Sequence, residues 1–150
     1  MLNNWPIKRK RKDIVMKKVR VFIERASDDS FSAYMPDDNG LDYGVIGTGY
    51  SASEAIADIK LAYEEMKKHY EDRGKVFEEV DMVFSYDVVS FLEYYGDKFT
   101  FAGLAKITGV SAAQLSQYVQ GYRNPSKKTA EKIQRGLHAF ANDLSQVRFV

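Results

Sequence analysis

Phe101-Ala102-Gly103-Leu104-Ala105-Lys106-Ile107-Thr108-Gly109-Val110-Ser111-Ala112-Ala113-Gln114-Leu115-Ser116-Gln117-Tyr118 is the stretch that decides how this chain is read. Ala105 is small enough to sit where two helices cross closely. Gly109, four residues on, can take the positive φ that a tight turn between helices needs. Val110 and Leu115 supply apolar contacts to lock a second helix on the first. Ser111 is placed to cap that second helix. Its exposed opening positions carry Ala112, Ala113, Gln114 and Gln117, and Tyr118 is counted with them as a DNA-binding candidate. Small side chains allow close approach to a groove, and Gln can bond bidentately to adenine.

Downstream, Tyr122-Arg123-Asn124-Pro125-Ser126-Lys127-Lys128 reads as a loop leading into a capped helix start. Arg123, Lys127 and Lys128 are cations suited to phosphates there, beside the N–H groups of a helix terminus. Ile133, Leu137, Phe140 and Leu144 recur at helical spacing and form the expected core face of the closing helix. Helices are expected over Thr100–Ile107, Ser111–Gln120 and Ser126 to about Leu144.

Upstream of this stretch the texture is different. Val19, Val21 and Ile23 alternate with Arg20, Phe22 and Glu24, the period of a half-buried strand. Phe31 to Met35 and Tyr43 to Thr48 give two more strands, the last one loosened by Gly44, Gly47 and Gly49. Ser51-Ala52-Ser53-Glu54 has capping-box spacing. After it Ala55, Ile56, Ile59, Ala62, Tyr63, Met66 and Tyr70 make one helical face, ended by Gly74. A fourth strand runs through Val80, Met82, Phe84 and Tyr86. Asp87 caps a short helix that stops at Gly96. The expected fold class is α+β: a small antiparallel sheet with one covering helix (βββαβ), then an all-α helix-turn-helix unit. The chain divides into a basic extension at 1–15, a sheet domain at 16–86, a linker helix at 87–98 and a helical domain at 99–150.

Charge follows the same divisions. The total is +1, yet residues 1–20 carry a net +7, residues 21–97 a net −12 and residues 98–150 a net +6. The first block contains Lys8-Arg9-Lys10-Arg11-Lys12, either a solvated tail or an arm for phosphates or an acidic surface. Met16-Lys17-Lys18 reads as an alternative start, which is why 1–15 counts as an extension.

A 45% hydrophobic content with 13% aromatics is enough for a core. No apolar run approaches the roughly 18–20 residues that span a bilayer, and the first residues lack a signal peptide's apolar stretch. With no Cys, there is no disulfide and no thiolate. These features suit a cytoplasmic protein with no membrane partner. Asp28, Asp29, Asp37, Asp38 and Asp42 crowd the loops of the acidic block. A two-metal hydrolase needs carboxylates converging from ordered strands. These lie on turns, where Asp is favoured for its backbone hydrogen bonds. His69 and His138 lack an orienting partner in the sequence. No catalysis, metal or cofactor is expected.

The pattern Gly109-Val110-Ser111 through Gly121-x-Arg123-x-Pro125-Ser126-x-x-Thr129-x-x-Lys132-Ile133 resembles the lambda-repressor-like, or XRE-type, helix-turn-helix family over residues 99–141. That resemblance implies that the second helix reads bases while Arg123 and its neighbours hold the backbone. Gln117 stands where an acidic residue is frequent.

The earlier segments Val19–Met35, Tyr43–Gly49 and Ser51-Ala52-Ser53-Glu54-Ala55 with Ile59 resemble the N-terminal domain of HicB-type antitoxins. With the helix-turn-helix the likeness spans residues 16–145. It implies a partial RNase H-like domain without catalytic carboxylates. The implied partner is a HicA-type toxin, small, basic and RNA-cleaving. The five loop aspartates would face that toxin, and a homodimer or tetramer would repress its own operon at operator DNA. A −12 surface suits a cationic partner. The final Gln146-Val147-Arg148-Phe149-Val150 alternates like a strand and could pair with a symmetry mate or an exposed edge, or equally pack down as a tail.

Overall fold

The computed structural model describes residues 15–150. The Lys8–Lys12 run lies outside the described residues. The elements in chain order are β1 (Lys17–Arg25), β2 (Phe31–Tyr34), β3 (Ile46–Gly49), α1 (Ala52–Asp72), β4 (Val80–Tyr86), α2 (Val88–Tyr94), α3 (Phe101–Thr108), α4 (Ala112–Gln120) and α5 (Lys127–Ser145). The α+β fold class is as expected.

The strands form one sheet in the order β3-β2-β1-β4. Alternation places Val19, Val21 and Ile23 on its buried face, with Arg20 and Glu24 exposed on the other. β1 pairs antiparallel with β2, Phe22 opposite Tyr34, and β2 pairs antiparallel with β3, Ala33 opposite Gly47. The third pairing differs from the antiparallel sheet expected: β4 runs parallel to β1, Lys17 opposite Val80 and Ile23 opposite Tyr86. The reason is the connection. The chain leaves β3 at one edge and crosses the sheet as α1, a helix of 21 residues. At 1.5 Å per residue that is about 30 Å, enough to carry the chain back to the end where β1 began.

Ser51 caps α1 by accepting the Glu54 N–H at 3.1 Å, and the Glu54 carboxylate accepts from Tyr50 N–H at 2.7 Å. Ala52, Ala55, Ile56 and Ile59 of α1 pack on Val19, Val21, Ile23, Phe31, Ala33 and Val80 to form the first core. Gly47 is part of this contact. A Cβ there would stand 2.9 Å from the Ile59 Cα, so the glycine lets α1 lie against β3. In the second half of α1, Ala62, Tyr63 and Met66 pack against this core. There Tyr43, Tyr63, Tyr70 and Phe77 close the sheet's lower end, with Tyr43 stacked on Phe77 at 4.6 Å. The Tyr43 hydroxyl donates to the Glu78 carbonyl at 2.7 Å, and burial holds it well above the usual phenol range.

A second core gathers Leu92, Leu104, Val110, Leu115, Tyr118 and Ile133. Leu92 comes from α2, whose Tyr94 packs against the first core. The helix read as a linker is therefore wedged between both. The Glu93 carboxylate adds a tie by accepting the Ala52 N–H at 2.8 Å. On α5 the packed face ends at Leu137, one turn and more before the expected Leu144, which is 55% exposed. Residues 146–150 form no strand within the chain, and Phe149 is 96% exposed.

Candidate nucleic-acid interface

Three local devices shape the turn between α3 and α4. Thr100 caps α3 by accepting the Gly103 N–H at 3.0 Å. Gly109 ends it in the left-handed region at φ 72°, as the sequence reading anticipated. Thr108, buried, donates its hydroxyl to the Leu104 carbonyl at 2.7 Å and accepts the Val110 N–H at 3.2 Å. Val110 and Leu115 then lock the second helix on the first. From α5, the Lys132 ammonium donates to the Gly109 carbonyl at 3.0 Å. Thr108 and Lys132 were not singled out for these bonds in the sequence; a short polar residue before a turn glycine was the available signal.

Close helix approach also occurs at Gly136. A Cβ on Gly136 would lie 2.8 Å from the Thr108 Cα, so α5 crosses α3 backbone to backbone. Ala105 is half-buried.

Ser111 caps α4, accepting the Gln114 N–H at 3.2 Å. Ser111, Ala113 and Gln117 are exposed along its opening turns, and Ala112 and Gln114 are half-buried. Tyr118, a DNA-binding candidate from the sequence, is largely inside the domain. It is 2% exposed, because with Leu115 it falls at i, i+3 on the apolar stripe, and its ring fills the second core. Its hydroxyl still matters to the surface, since it accepts a bond from Gln114 Nε2 at 3.1 Å. That bond leaves the Gln114 carbonyl oxygen and one N–H for an outside partner.

Gly121 closes α4 at φ 78°. Beyond it Arg123, Lys127 and Lys128 are exposed, and none forms an ion pair with a described residue. Ser126 caps α5 by accepting the Thr129 N–H at 3.1 Å. The other N–H groups of that helix start and the two adjacent lysines face solvent with the positive end of a 19-residue helix.

The five loop aspartates are not brought together. Asp28 and Asp29 lie in the β1–β2 turn, and Asp37, Asp38 and Asp42 in the β2–β3 loop at the opposite end of the sheet. The four residues of β2 separate them, about 13 Å of strand. The Asp28 carboxylate accepts from the Ser30 hydroxyl at 2.6 Å and the Ser30 N–H at 3.0 Å, which holds it below the usual carboxylate range. Asp29 pairs with Arg25 at 3.5 Å. Asp37, Asp38 and Asp42 are exposed. Among the described residues no group of three or more His, Asp or Glu is placed to hold a metal ion. His69 and His138 are exposed.

A capped helix, a left-handed glycine turn and a second helix with a small-residue face, flanked by unpaired cations, define a helix-turn-helix of the DNA-binding regulator class. Comparison with known families agrees: a model described as Helix-turn-helix matches residues 102–138, from α3 into α5. No curated protein and no solved structure matches the chain. No helix among the described residues is long and apolar enough to cross a membrane.

Proposed function

We propose that the chain is a non-enzymatic antitoxin and autoregulator of the HicA/HicB type. In this reading residues 16–86 neutralise a small basic RNA-cleaving toxin, and the helix-turn-helix represses the operon. The observation that carries it is the partition of charge across two differently built halves. Residues 21–97, which run from within β1 through α2, carry −12, and residues 98–150, which hold α3 to α5, carry +6. The order of strands and helix in the first half, followed by a helix-turn-helix, is that of the family it resembles. Asp28 with Asp29, and Asp37 with Asp38 and Asp42, give a cationic partner two anchoring points rather than one. No metal or cofactor is required.

At DNA, Ala113 and Gln117 lie on the groove side of α4, with Gln114 held in orientation by Tyr118. Arg123, Lys127 and Lys128 take phosphates. A homodimer would set two such helices about one turn of DNA apart. Gln114→Ala is expected to relax base preference by about 1–3 kcal/mol, the worth of one bidentate base contact.

The toxin half is tested by co-expression with the neighbouring small reading frame. Co-purification and growth rescue are expected, and absence of both refutes that half. A second reading, a regulator whose front domain serves dimerisation or ligand sensing, is favoured by the wide separation of the acidic turns. It expects no toxin gene alongside.

A further inference from the structure

Arg25 ends β1 where the sheet meets the helices, and its polar groups reach both halves. Its backbone N–H donates to Asp87 Oδ2 at 3.0 Å, while Asp87 Oδ1 caps α2 by accepting the Ser90 N–H at 2.7 Å. Its Nη1 donates to the Val119 carbonyl at 2.8 Å. Its Nε stands 3.5 Å from the Asp29 carboxylate, which is brought there by a backbone at φ 64°. Its Nη2 lies against Gly121, only 2.8 Å from where a Cβ would be.

Val119 is in the last turn of α4, where carbonyls have no helical partner. The carbonyls of Gln117 and Tyr118 take the N–H groups of Tyr122 and Gly121, and Val119 takes the arginine. A guanidinium there also meets the negative end of the helix dipole. Two residues past Gly121 comes Arg123, exposed and free of any ion pair with a described residue.

We infer that Arg25 is a positioning residue of the DNA-binding surface, through which the sheet half fixes the Gly121–Arg123 turn at the end of the recognition helix. It touches no DNA itself and acts through Arg123. The inference rests on the helix-turn-helix being the DNA-contacting unit. It gives the front half a part in DNA binding that the matched segment alone lacks.

The test uses the full chain and a fluorescein-labelled mixed-sequence duplex, with binding followed by anisotropy over a potassium chloride series. Circular dichroism melts confirm folding. Arg123→Ala is expected to flatten the slope of log K against log salt by roughly 0.9, one phosphate contact. Arg25→Ala is expected to flatten it by a similar amount and weaken binding about tenfold, the effect of about 1.4 kcal/mol. Arg25→Ala placed on Arg123→Ala should then add little, because the two act in series. Arg25→Lys, which keeps the charge and a donor group, should recover part of the slope when Arg123 is intact. Additive slopes in the double variant, or a folded Arg25→Ala with the wild-type slope, overturn the inference. If Arg25→Ala does not fold, the same cycle is run with Arg25→Met, which keeps the aliphatic stem and no donor, and an unchanged slope overturns it. A wild-type chain that binds no DNA overturns both this and the reading it rests on.

Discussion

Twelve buried side chains make the core between the sheet and α1, whereas six make the core of the helix-turn-helix. The larger core follows from alternation on β1 and a helix face on α1, so its geometry is spread over many side chains. The smaller one is held by backbone devices at single positions: Gly109 and Gly121 in the left-handed region, Thr108 bridging two turns, and Gly136 at the crossing. The contrast shows where each half is vulnerable. An added methyl group would crowd backbone at Gly47 of the sheet half as it would at Gly136, but the six-residue core has less to spare.

The largest effect should come from Leu115→Ala, which removes one of six core side chains. About 3 kcal/mol of stability is expected to go, within the 2–5 range for buried leucines, as read by urea denaturation. A loss under about 1 kcal/mol would mean that the small core collapses around the gap. Gly136→Ala comes next. Alanine is the better helix former by about 1 kcal/mol, so a gain is expected on propensity alone. The crowding against Thr108 should outweigh this and give a net loss of about 1–3 kcal/mol. A rise in melting temperature would break the picture of a backbone crossing.

Ser111→Ala, which deletes the cap of α4, should cost about 1 kcal/mol without moving the sheet's amide resonances. The smallest effect belongs to the other half. Ser30→Ala removes the strongest of the hydrogen bonds that hold the Asp28 carboxyl low, so its midpoint in a carbon-detected NMR titration should rise toward the ordinary value. The sign follows from linkage. A depressed carboxyl stabilises the fold above its unfolded pKa, and that contribution is lost as pH falls through the lower folded value. An unmoved midpoint would place the Asp28 shift elsewhere.

Alternation and capping were legible because they are local. Val19, Val21 and Ile23 announced β1, and Ser51, Asp87, Ser111 and Ser126 each stand at the helix start where the sequence placed them. The direction of β4 was not legible, since a strand's own alternation is the same whichever way its neighbour runs. The burial of Tyr118 was legible in its i, i+3 spacing from Leu115, but a tyrosine on a recognition helix also suits a groove. Gly136 and Arg25 act across long separations, and nothing beside them in the chain marks the partner. The five aspartates were read as one patch by composition, which carries no information on the ends of a sheet.

The parallel pairing of β1 with β4 also orders events in time. Lys17 finds Val80 only after the hairpin, β3 and all of α1 have been made, whereas α3, α4 and α5 meet partners close by in the chain. Distant pairing slows folding, and local pairing speeds it. The half that leaves the ribosome first is thus the half that must wait, its β1 edge open until the fourth strand arrives to close it.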